Sequence, residues 1–499
     1  MELITKTRFL HFMRCPRLAW LEAHAPETVK DEGSTQSVTG TEVGELARSY
    51  FGKRYTVIEK STPLAMATAT TAALKNATKY AVCEASFKSK DLFCSSDIVL
   101  VNDDGTLDVY EVKSTSSVKD EHILDTAFQM YVIQKSGWNI RNFYVMHIDT
   151  DYVFNGNLDL KKLFKLKDVT REISTLQDKV KEFVSRCREN LAEQDRPFCD
   201  LSVNCDKPYK CECRDFCFKL NNVPDNSVFN IAGFTAAKKY ELYRQGIVTP
   251  EQLLRTSYLN DGQRLQASGM KAASNITVNK DAIKRFLDTL RFPLYLLDFE
   301  TMQLAIPEFV GTSPYEQVPF QYSLHIMKDF NEVTTEHREF LADERKDDRK
   351  ALAKQLCEDI PEGEMSMAYN MKFERMVIRK LANDFPAYTH ELLSIREAMT
   401  DLMVPFQKRY YYNPCQQGSF SIKAVLPAIV GENDPELDYH KLPVVHNGME
   451  AMSTYAAMRK MTDREEVQRI RDGLLKYCHL DTLAMVKVIN ALYALAYSA

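Results

Sequence analysis

Alternating apolar and polar residues predict a β-hairpin over residues 94–117. The segments "DIVLV" and "LDVYEVKS" are rich in β-branched residues, and an Asn-Asp-Asp-Gly turn separates them. Because side chains alternate between the two faces of a strand, Glu111 and Lys113 share one face. Asp97, on the neighbouring strand, can meet them there. The pattern therefore predicts two carboxylates and one lysine on the same sheet surface.

A second strand with paired acids is predicted at 294–302, "LYLLDFETM". By the same alternation, Asp298 and Glu300 point to one face of an otherwise apolar strand. A single buried acid is most simply explained by hydrogen bonding. Two acids that face the same way are costly to bury unless they bind cations.

Helical periodicity places further candidates near these strands. The segment 123–137 reads as an amphipathic helix that carries Gln129, and a strand running into a helix over 366–382 carries Glu374. In the amphipathic helix predicted at 471–492, Tyr477 and Asp481 are four residues apart and share one face. A predicted helical connector precedes the acidic strand. Its alternative interpretations are a phosphate-binding helical hairpin and a structural spacer, and the spacer is preferred.

Length and composition predict several domains without a membrane span. A chain of 499 residues corresponds to two to four domains, and breaks in the pattern suggest 1–220, 221–290 and 291–499. No signal peptide and no bilayer-spanning apolar run is evident, so we expect a cytoplasmic location and no membrane partner. The net charge of −5 gives no general attraction to nucleic acid, although it is compatible with a local basic groove.

Four cysteines cluster in "CDKPYKCECRDFC", residues 205–217. In a reducing cytoplasm such a cluster indicates metal or cluster binding rather than disulfides. A zinc site would use all four, but the C-x(5)-C-x-C-x(3)-C spacing fits the usual zinc pairs poorly. An iron–sulfur cluster with a distant fourth ligand, and a cysteine-rich loop without metal, are the alternatives. Cys15 is followed by Pro16, which predicts that its thiol lies at a break between two helices.

The first acidic set suits metal-dependent phosphodiester cleavage. Carboxylates hold Mg²⁺ or Mn²⁺, and a lysine orients water and offsets charge on the phosphate. A salt bridge on an exposed hairpin is the simpler alternative. The context resembles the PD-(D/E)XK nuclease superfamily, specifically its RecB-like branch, over roughly residues 5–218. The resemblance implies metal binding by Asp97 and Glu111, with Lys113 as the lysine and Gln129 as a supporting residue.

Two features of that branch bear on the chain. Many relatives carry a metal-ligating histidine in a G-x-x-x-H context, whereas here Gly40 is followed by Gly44. Glu45 or Glu84 would then have to compensate. The branch also includes CRISPR-adaptation exonucleases with an iron–sulfur cluster. That resemblance implies a 4Fe–4S cluster on four thiolates and leaves Cys199 and Cys213 as spares; the four implied ligands are Cys15, Cys205, Cys211 and Cys217.

The second acidic set resembles the DEDD exonucleases of the RNase H-like, DnaQ-like fold, in their tyrosine subtype. The resemblance implies that four acids hold two divalent metals while Tyr477 positions the attacking water; those acids are Asp298, Glu300, Glu374 and Asp481. One departure is that Glu374 stands where Asp is usual. The stretch "GSFSIKAVLP" (418–427) resembles an uncharacterised bacterial family that pairs the two nuclease modules, and Lys423 there is the expected phosphate contact.

The expected protein is therefore an α/β chain with two nuclease-like modules. A restriction-endonuclease-like domain precedes the helical connector, and an RNase H-like domain with a mixed sheet follows it. We expect a metal-dependent nuclease that acts on DNA, single-stranded or end-bearing, in repair or defence. An RNA 3′ exonuclease with an inactive N-terminal module and a non-catalytic iron–sulfur nucleic-acid binder are the alternatives. Three aromatic residues could stack the bases of a single strand, although such residues more often serve core or surface packing: Phe299, Tyr410 and Tyr411.

Overall fold

A computed structural model describes residues 2–29, 35–76, 80–271, 276–330, 335–431, 437 and 439–497. The fold is mixed α/β, as the sequence predicts, and helices alternate with strands along the chain. The chain divides into two compact units. Residues 1–222 and 304–315 form the first unit, and residues 223–303 and 316–499 form the second. The predicted connector is thus grouped with the C-terminal residues, and the three-domain division stays a prediction.

The first unit contains one sheet and nine helices among its described residues. Its strands are β1 (Ile4–Thr5), β2 (Tyr55–Val57), β3 (Ala81–Ser89), β4 (Leu92–Val101), β5 (Leu107–Lys113), β6 (Ile140–Ile148) and β7 (Phe164–Asp168). Its helices are α1 (Lys6–Arg14), α2 (Pro16–His24), α3 (Thr35–Ala47), α4 (Pro63–Asn76), α5 (Asp120–Lys135), α6 (Leu160–Leu163), α7 (Thr170–Ser174), α8 (Gln177–Ala192) and α9 (Arg214–Leu220).

The sheet of the first unit follows the order β2-β3-β4-β5-β6-β7, with β1 paired to β4. The predicted hairpin is confirmed: β4 and β5 pair antiparallel, and Gly105 closes the turn with a φ of 80°. β5 then pairs parallel with β6, and α5 makes the crossover between them. Helix α5 buries Phe128 against Phe9 of α1, with ring centroids 4.6 Å apart. This packing fixes α5 over the strands that carry the predicted acids.

The second unit contains a five-stranded sheet, a two-stranded sheet and several helices. Its strands are β8 (Thr277–Val278), β9 (Leu294–Gln303), β10 (Gln317–Met327), β11 (Glu336–Leu341), β12 (Met365–Ala368), β13 (Met399–Asp401) and β14 (Tyr411–Tyr412). Its helices are α10 (Ala236–Arg244), α11 (Pro250–Leu254), α12 (Asp261–Lys271), α13 (Lys280–Leu287), α14 (Arg349–Asp359), α15 (Lys372–Asp384), α16 (Thr389–Glu397), α17 (Val404–Gln407), α18 (Ile422–Val430), α19 (Gly448–Met458) and α20 (Arg464–Tyr497).

The five-stranded sheet is mixed, as expected for the C-terminal region. Its order is β11-β10-β9-β12-β13. β10 is antiparallel to both of its neighbours, whereas β12 is parallel to β9 and to β13. β9 is therefore central and is buried along most of its length. Acids on such a strand lie in the interior of the sheet rather than at its edge.

The long helix α20 covers the strands β9 and β10 of this sheet. Asp463 caps its first turn by accepting a hydrogen bond from the backbone N–H of Glu465 (3.0 Å). At Gly473 a Cβ atom would lie 2.5 Å from the Cβ of Val444, so only glycine lets the residues around Val444 pack this closely. By length and composition alone α20 is apolar enough to cross a membrane, yet 44% of its most apolar window is buried in the unit. The cytoplasmic location stays a prediction.

Candidate functional sites

Three of the predicted acids converge on one point in the second unit. Asp298 and Glu300 lie on β9, and Asp481 lies on α20. One carboxylate oxygen of each lies within 4.8 Å of the others. Asp298 and Glu300 are two residues apart on β9, so the predicted alternation places them on the same face. Asp298 pairs with Ser323 of β10, and Glu300 pairs with Gln321.

These carboxyl groups repel one another in a buried setting. Burial, together with Asp481, raises the pKa of Glu300 to about 8. Burial also raises the pKa of Asp481 to about 6, and it raises the pKa of Asp298 well above its usual range. Among the described residues, none of the three forms an ion pair with a lysine or arginine within 4.0 Å. Ionisation of all three acids would therefore place more negative charge here than the neighbouring groups neutralise.

Two tyrosines and a lysine surround the Asp481 carboxylate. Tyr439 donates a 2.6 Å hydrogen bond to Asp481 Oδ1, and a hydrogen bond from Tyr477 also lowers the pKa of Asp481. Lys423 is exposed, and its Nζ lies 4.8 Å from the centre of the Tyr439 ring and 5.4 Å from that of Tyr477. Its charge lowers the pKa of both Glu300 and Asp481. Sequence analysis missed Tyr439, since no motif surrounds it.

Glu374 lies in the first turn of α15, close enough to raise the pKa of Asp298 and of Glu300. Burial raises its own pKa to about 8, with a further contribution from Asp401. Its Oε2 atom is buried and has no hydrogen-bond partner among the described residues. A buried carboxylate oxygen without a partner is costly, and a cation would satisfy it.

Asp401, another acid near this site, hydrogen-bonds to the protein backbone. Its Oδ1 accepts hydrogen bonds from the backbone N–H groups of Asn370 and Met403, each at 2.9 Å. Asn370 has a φ of 66°, so this bond holds a left-handed turn between β12 and α15. That turn orients the first residues of α15, including Glu374.

The donor set of this site fits a hard divalent cation. Carboxylate oxygens are the ligands that Mg²⁺ and Mn²⁺ prefer. The unpartnered Glu374 oxygen and the mutual repulsion of the other three acids both favour a cation there. Phe299 and Tyr411 are buried in the hydrophobic core, which is the packing role given as the commoner alternative to base stacking. Tyr410 is only partly buried and stays a candidate.

In the first unit the structure brings the four predicted residues of the other set together. Gln129 Nε2 donates to Glu111 Oε2 (2.8 Å), and Lys113 Nζ donates to Glu111 Oε1 (2.8 Å). Asp97 Oδ2 accepts a 2.6 Å hydrogen bond from the backbone N–H of Val112. Burial, with Glu111 next, raises the pKa of Asp97 to about 7.

Lys6 and Asp125 complete this cluster, and sequence analysis missed both. Lys6 Nζ lies 2.7 Å from Glu111 Oε1, and Lys113 Nζ lies 2.6 Å from Asp125 Oδ2. Although burial opposes it, Lys113 holds the pKa of Asp125 well below its usual range. Two lysines thus balance most of the charge of three carboxylates. Both oxygens of Glu111 are engaged, so this site fits a divalent cation less well than the acidic site of the second unit.

The predicted substitutes for the missing histidine do not point to a metal. Glu84 forms a 3.0 Å ion pair with Arg48, and Glu45 is exposed on α3. The backbone at Glu84 has a φ of 56° at the place where β3 passes Asp97 on β4. A Cβ atom at Gly44 would meet nothing within 4 Å, so the position has room for a side chain.

Six cysteines line one cavity of about 170 Å³ in the first unit. Cys15 adopts an extended conformation between α1 and α2, as its Pro16 neighbour predicts. A hydrogen bond with Cys199 lowers the pKa of Cys15 to about 6, whereas burial raises the pKa of Cys211 to about 11. The residues predicted as spares therefore share the cavity; its six cysteines are Cys15, Cys199, Cys205, Cys211, Cys213 and Cys217.

The spacing of the sulfur atoms bears on the choice between zinc and a larger cluster. Four thiolates at about 2.3 Å from one Zn²⁺ would place their sulfurs about 3.8 Å apart. Within the described residues, two groups of three or more ligand atoms lie within 4.8 Å of one another, and neither contains a cysteine. No three of the six sulfurs therefore lie mutually within 4.8 Å, which suits a larger group in the cavity better than a single tetrahedral ion.

A comparison with known protein families finds a match within the second unit. A profile described as a domain of unknown function (DUF2779) matches residues 295–421. The match includes Asp298, Glu300 and Glu374 and ends before Lys423, Tyr477 and Asp481. No curated protein matches the chain.

Proposed function

We propose that the protein is a metal-dependent nuclease whose active site is the acidic cluster of the second unit. The observation that carries this proposal is the convergence of three acids within 4.8 Å, without a cationic partner among the described residues. Glu300 and Asp481 are buried, and Asp298 is partly buried. Buried carboxylates of this kind are stable only with bound protons or cations. The resemblance to DEDD exonucleases supplies the reaction class, hydrolysis of phosphodiester bonds.

Some residues of the site would bind metal, and others would contact the substrate or position the acids. Two divalent cations bound there would activate water and stabilise the leaving oxygen in an in-line displacement. Burial raises the pKa of Tyr477, so its hydroxyl keeps its proton and can donate a hydrogen bond beside Asp481. Lys423, exposed and close to the acids, is the group that would contact a substrate phosphate. Tyr439 holds the Asp481 carboxylate in place through its 2.6 Å hydrogen bond.

We propose further that the cysteine cavity holds a 4Fe–4S cluster, with Cys15, Cys205, Cys211 and Cys217 as its ligands. The shared cavity and the wide spacing of the sulfurs support a cluster over zinc. Arg17 lies 3.8 Å from Cys217 Sγ and brings positive charge to that thiolate. Bound thiolates in this cavity would join the break between α1 and α2 to α9 and to the residues that precede α9.

The lysine pairing in the first unit favours a binding role for its PD-(D/E)XK-like site. Lys6 and Lys113 occupy the Glu111 oxygen that a metal would use. This observation supports the alternative in which only the second unit cleaves. DNA, single-stranded or end-bearing, is the proposed substrate, and RNA is the competing one.

Cleavage of matched DNA and RNA oligonucleotides tests the proposal. We expect the purified protein to hydrolyse at least one of them with Mn²⁺, and EDTA to abolish the activity. Asp298→Asn combined with Asp481→Asn should remove all cleavage, whereas Lys113→Ala should retain it. Retention of cleavage by the double variant would move the active site elsewhere. Iron and acid-labile sulfide at stoichiometric levels are expected after anaerobic purification, and stoichiometric zinc instead would contradict the cluster.

A further inference from the structure

Three histidines from three elements converge in the second unit. His325 lies on β10, His337 on β11 and His479 on α20. One ring nitrogen of each lies within 4.8 Å of a ring nitrogen of the other two. Their ring centroids are 4.3 to 4.8 Å apart. His325 is fully buried and the other two are half-buried, so the cluster lies beneath α20 rather than on the open surface.

Two buried hydroxyl groups each contact one ring nitrogen, one on His325 and one on His337. His325 Nδ1 lies 2.7 Å from Thr482 Oγ1, and His337 Nε2 lies 2.9 Å from Ser323 Oγ. The two hydroxyls are 2.6 Å apart, and Thr482 Oγ1 also donates to the carbonyl oxygen of His479 (3.2 Å). When Thr482 donates to that carbonyl, the remaining contacts are satisfied if each ring N–H donates to its hydroxyl and Ser323 donates to Thr482.

This arrangement leaves Nε2 of His325 and Nδ1 of His337 without protons. A hydrogen bond that fixes the tautomer of a histidine through its second nitrogen is typical of metal ligands. No carboxylate in the described part of the chain pairs with any of the three rings. In that arrangement Nε2 of His325 and Nδ1 of His337 keep lone pairs that can bind a cation.

We propose that His325, His337 and His479 bind one transition-metal cation of the Zn²⁺ class, separate from the carboxylate site. Imidazole ligands suit Zn²⁺, Cu²⁺ and Ni²⁺, whereas Mg²⁺ and Mn²⁺ prefer oxygen ligands. Three protein ligands leave a fourth position for water. The bound ion would tie α20 to β10 and β11, next to the turn of α20 that carries Tyr477 and Asp481.

Zinc content of the full-length protein tests this site. The protein is purified with its iron–sulfur cluster in place, loaded with Zn²⁺ and freed of excess metal, and zinc is then counted per chain. We expect His337→Gln to lose one equivalent relative to the wild type. The matched control is His390→Gln, an exposed histidine of the same unit that pairs with Glu362 (2.8 Å), and it should lose none. Asp298→Asn should also retain this zinc.

X-ray absorption at the zinc edge provides a measurement that does not depend on a variant folding. The wild type should show a shell of imidazole nitrogens at about 2.0–2.1 Å. Equal zinc content in the wild type and His337→Gln, with both folded by circular dichroism, would overturn the proposal. A first shell made of sulfur or of carboxylate oxygen alone would overturn it as well.

Discussion

Replacing Glu300 by glutamine should stabilise the metal-free protein at neutral pH, because the fold disfavours the ionised form of this carboxyl group, which the unfolded chain adopts. The pKa of Glu300 rises from its ordinary value of 4.5 to about 8 in the fold. At pH 7 the unfolded chain is ionised at this position while the folded chain still holds the proton. A raised pKa in the folded state means that stability is lost as the pH rises from 4.5 towards 8. At about 1.36 kcal/mol per pH unit, the loss over the 2.5 units to pH 7 is about 3 kcal/mol.

Glu300→Gln removes this loss, since the amide does not ionise. We expect the variant to gain up to about 3 kcal/mol in EDTA at pH 7 and less than about 1 kcal/mol at pH 5. Excess Mn²⁺ should reverse the order. At a thousand times its dissociation constant, a ligand adds about 4.1 kcal/mol to the wild type, which exceeds the variant's advantage in EDTA, and the variant should gain much less.

Hydrogen exchange of the β9 and α20 peptides measures this change in the second unit directly. Both tryptophans, Trp20 and Trp138, lie in the first unit, so their fluorescence serves as an internal control that should not change. Glu358→Gln is the matched variant, because Glu358 is exposed on α14 and its ion pair with Lys354 is worth only a few tenths of a kcal/mol. Destabilisation of Glu300→Gln in EDTA, or an Mn²⁺ response equal to that of the wild type, would refute the reasoning.

Three further predictions concern the cluster, the site and the first unit. Cys205→Ser should lose the iron and the visible absorbance of the cluster while Cys213→Ser keeps both; equal loss in the two variants would show that the ligand set is wrong. Tyr439→Phe removes a hydrogen bond to a carboxylate, so the maximal rate should fall about tenfold with little change in KM, and an unchanged rate would argue against its positioning role. Arg188→Met leaves the buried Asp91 carboxylate without its 2.7 Å partner, which should cost the first unit about 2 kcal/mol in urea denaturation followed by tryptophan fluorescence; a loss below about 0.5 kcal/mol would contradict this estimate.

Local sequence patterns were sufficient to predict features that depend on neighbouring residues within one strand, hairpin or helix break. The alternation in β9 predicted that Asp298 and Glu300 face the same side, and the structure confirms it. The hairpin of β4 and β5 and the break at Cys15 were predicted for similar reasons. In each case the relevant physics is a backbone repeat or a proline, which a short window of sequence contains.

Partners that arrive from distant parts of the chain were not predictable in this way. Lys6 reaches Glu111 across 105 residues, and Tyr439 reaches Asp481 across 42. The three histidines come from two strands and a helix, and no spacing rule connects them. These contacts depend on how the elements pack. The charge balance of the first unit and the charge excess of the second therefore became visible only in the structure.

The release of nucleotides from uniformly labelled single-stranded DNA, measured against Mn²⁺ concentration, tests the central proposal most directly. We expect the wild type to release acid-soluble product at a rate that saturates with Mn²⁺. The variant that combines Asp298→Asn with Asp481→Asn should show no release at any Mn²⁺ concentration, although it folds and keeps its iron. Release by that variant at the wild-type rate, or no release by the wild type from DNA or from RNA, would contradict the proposal.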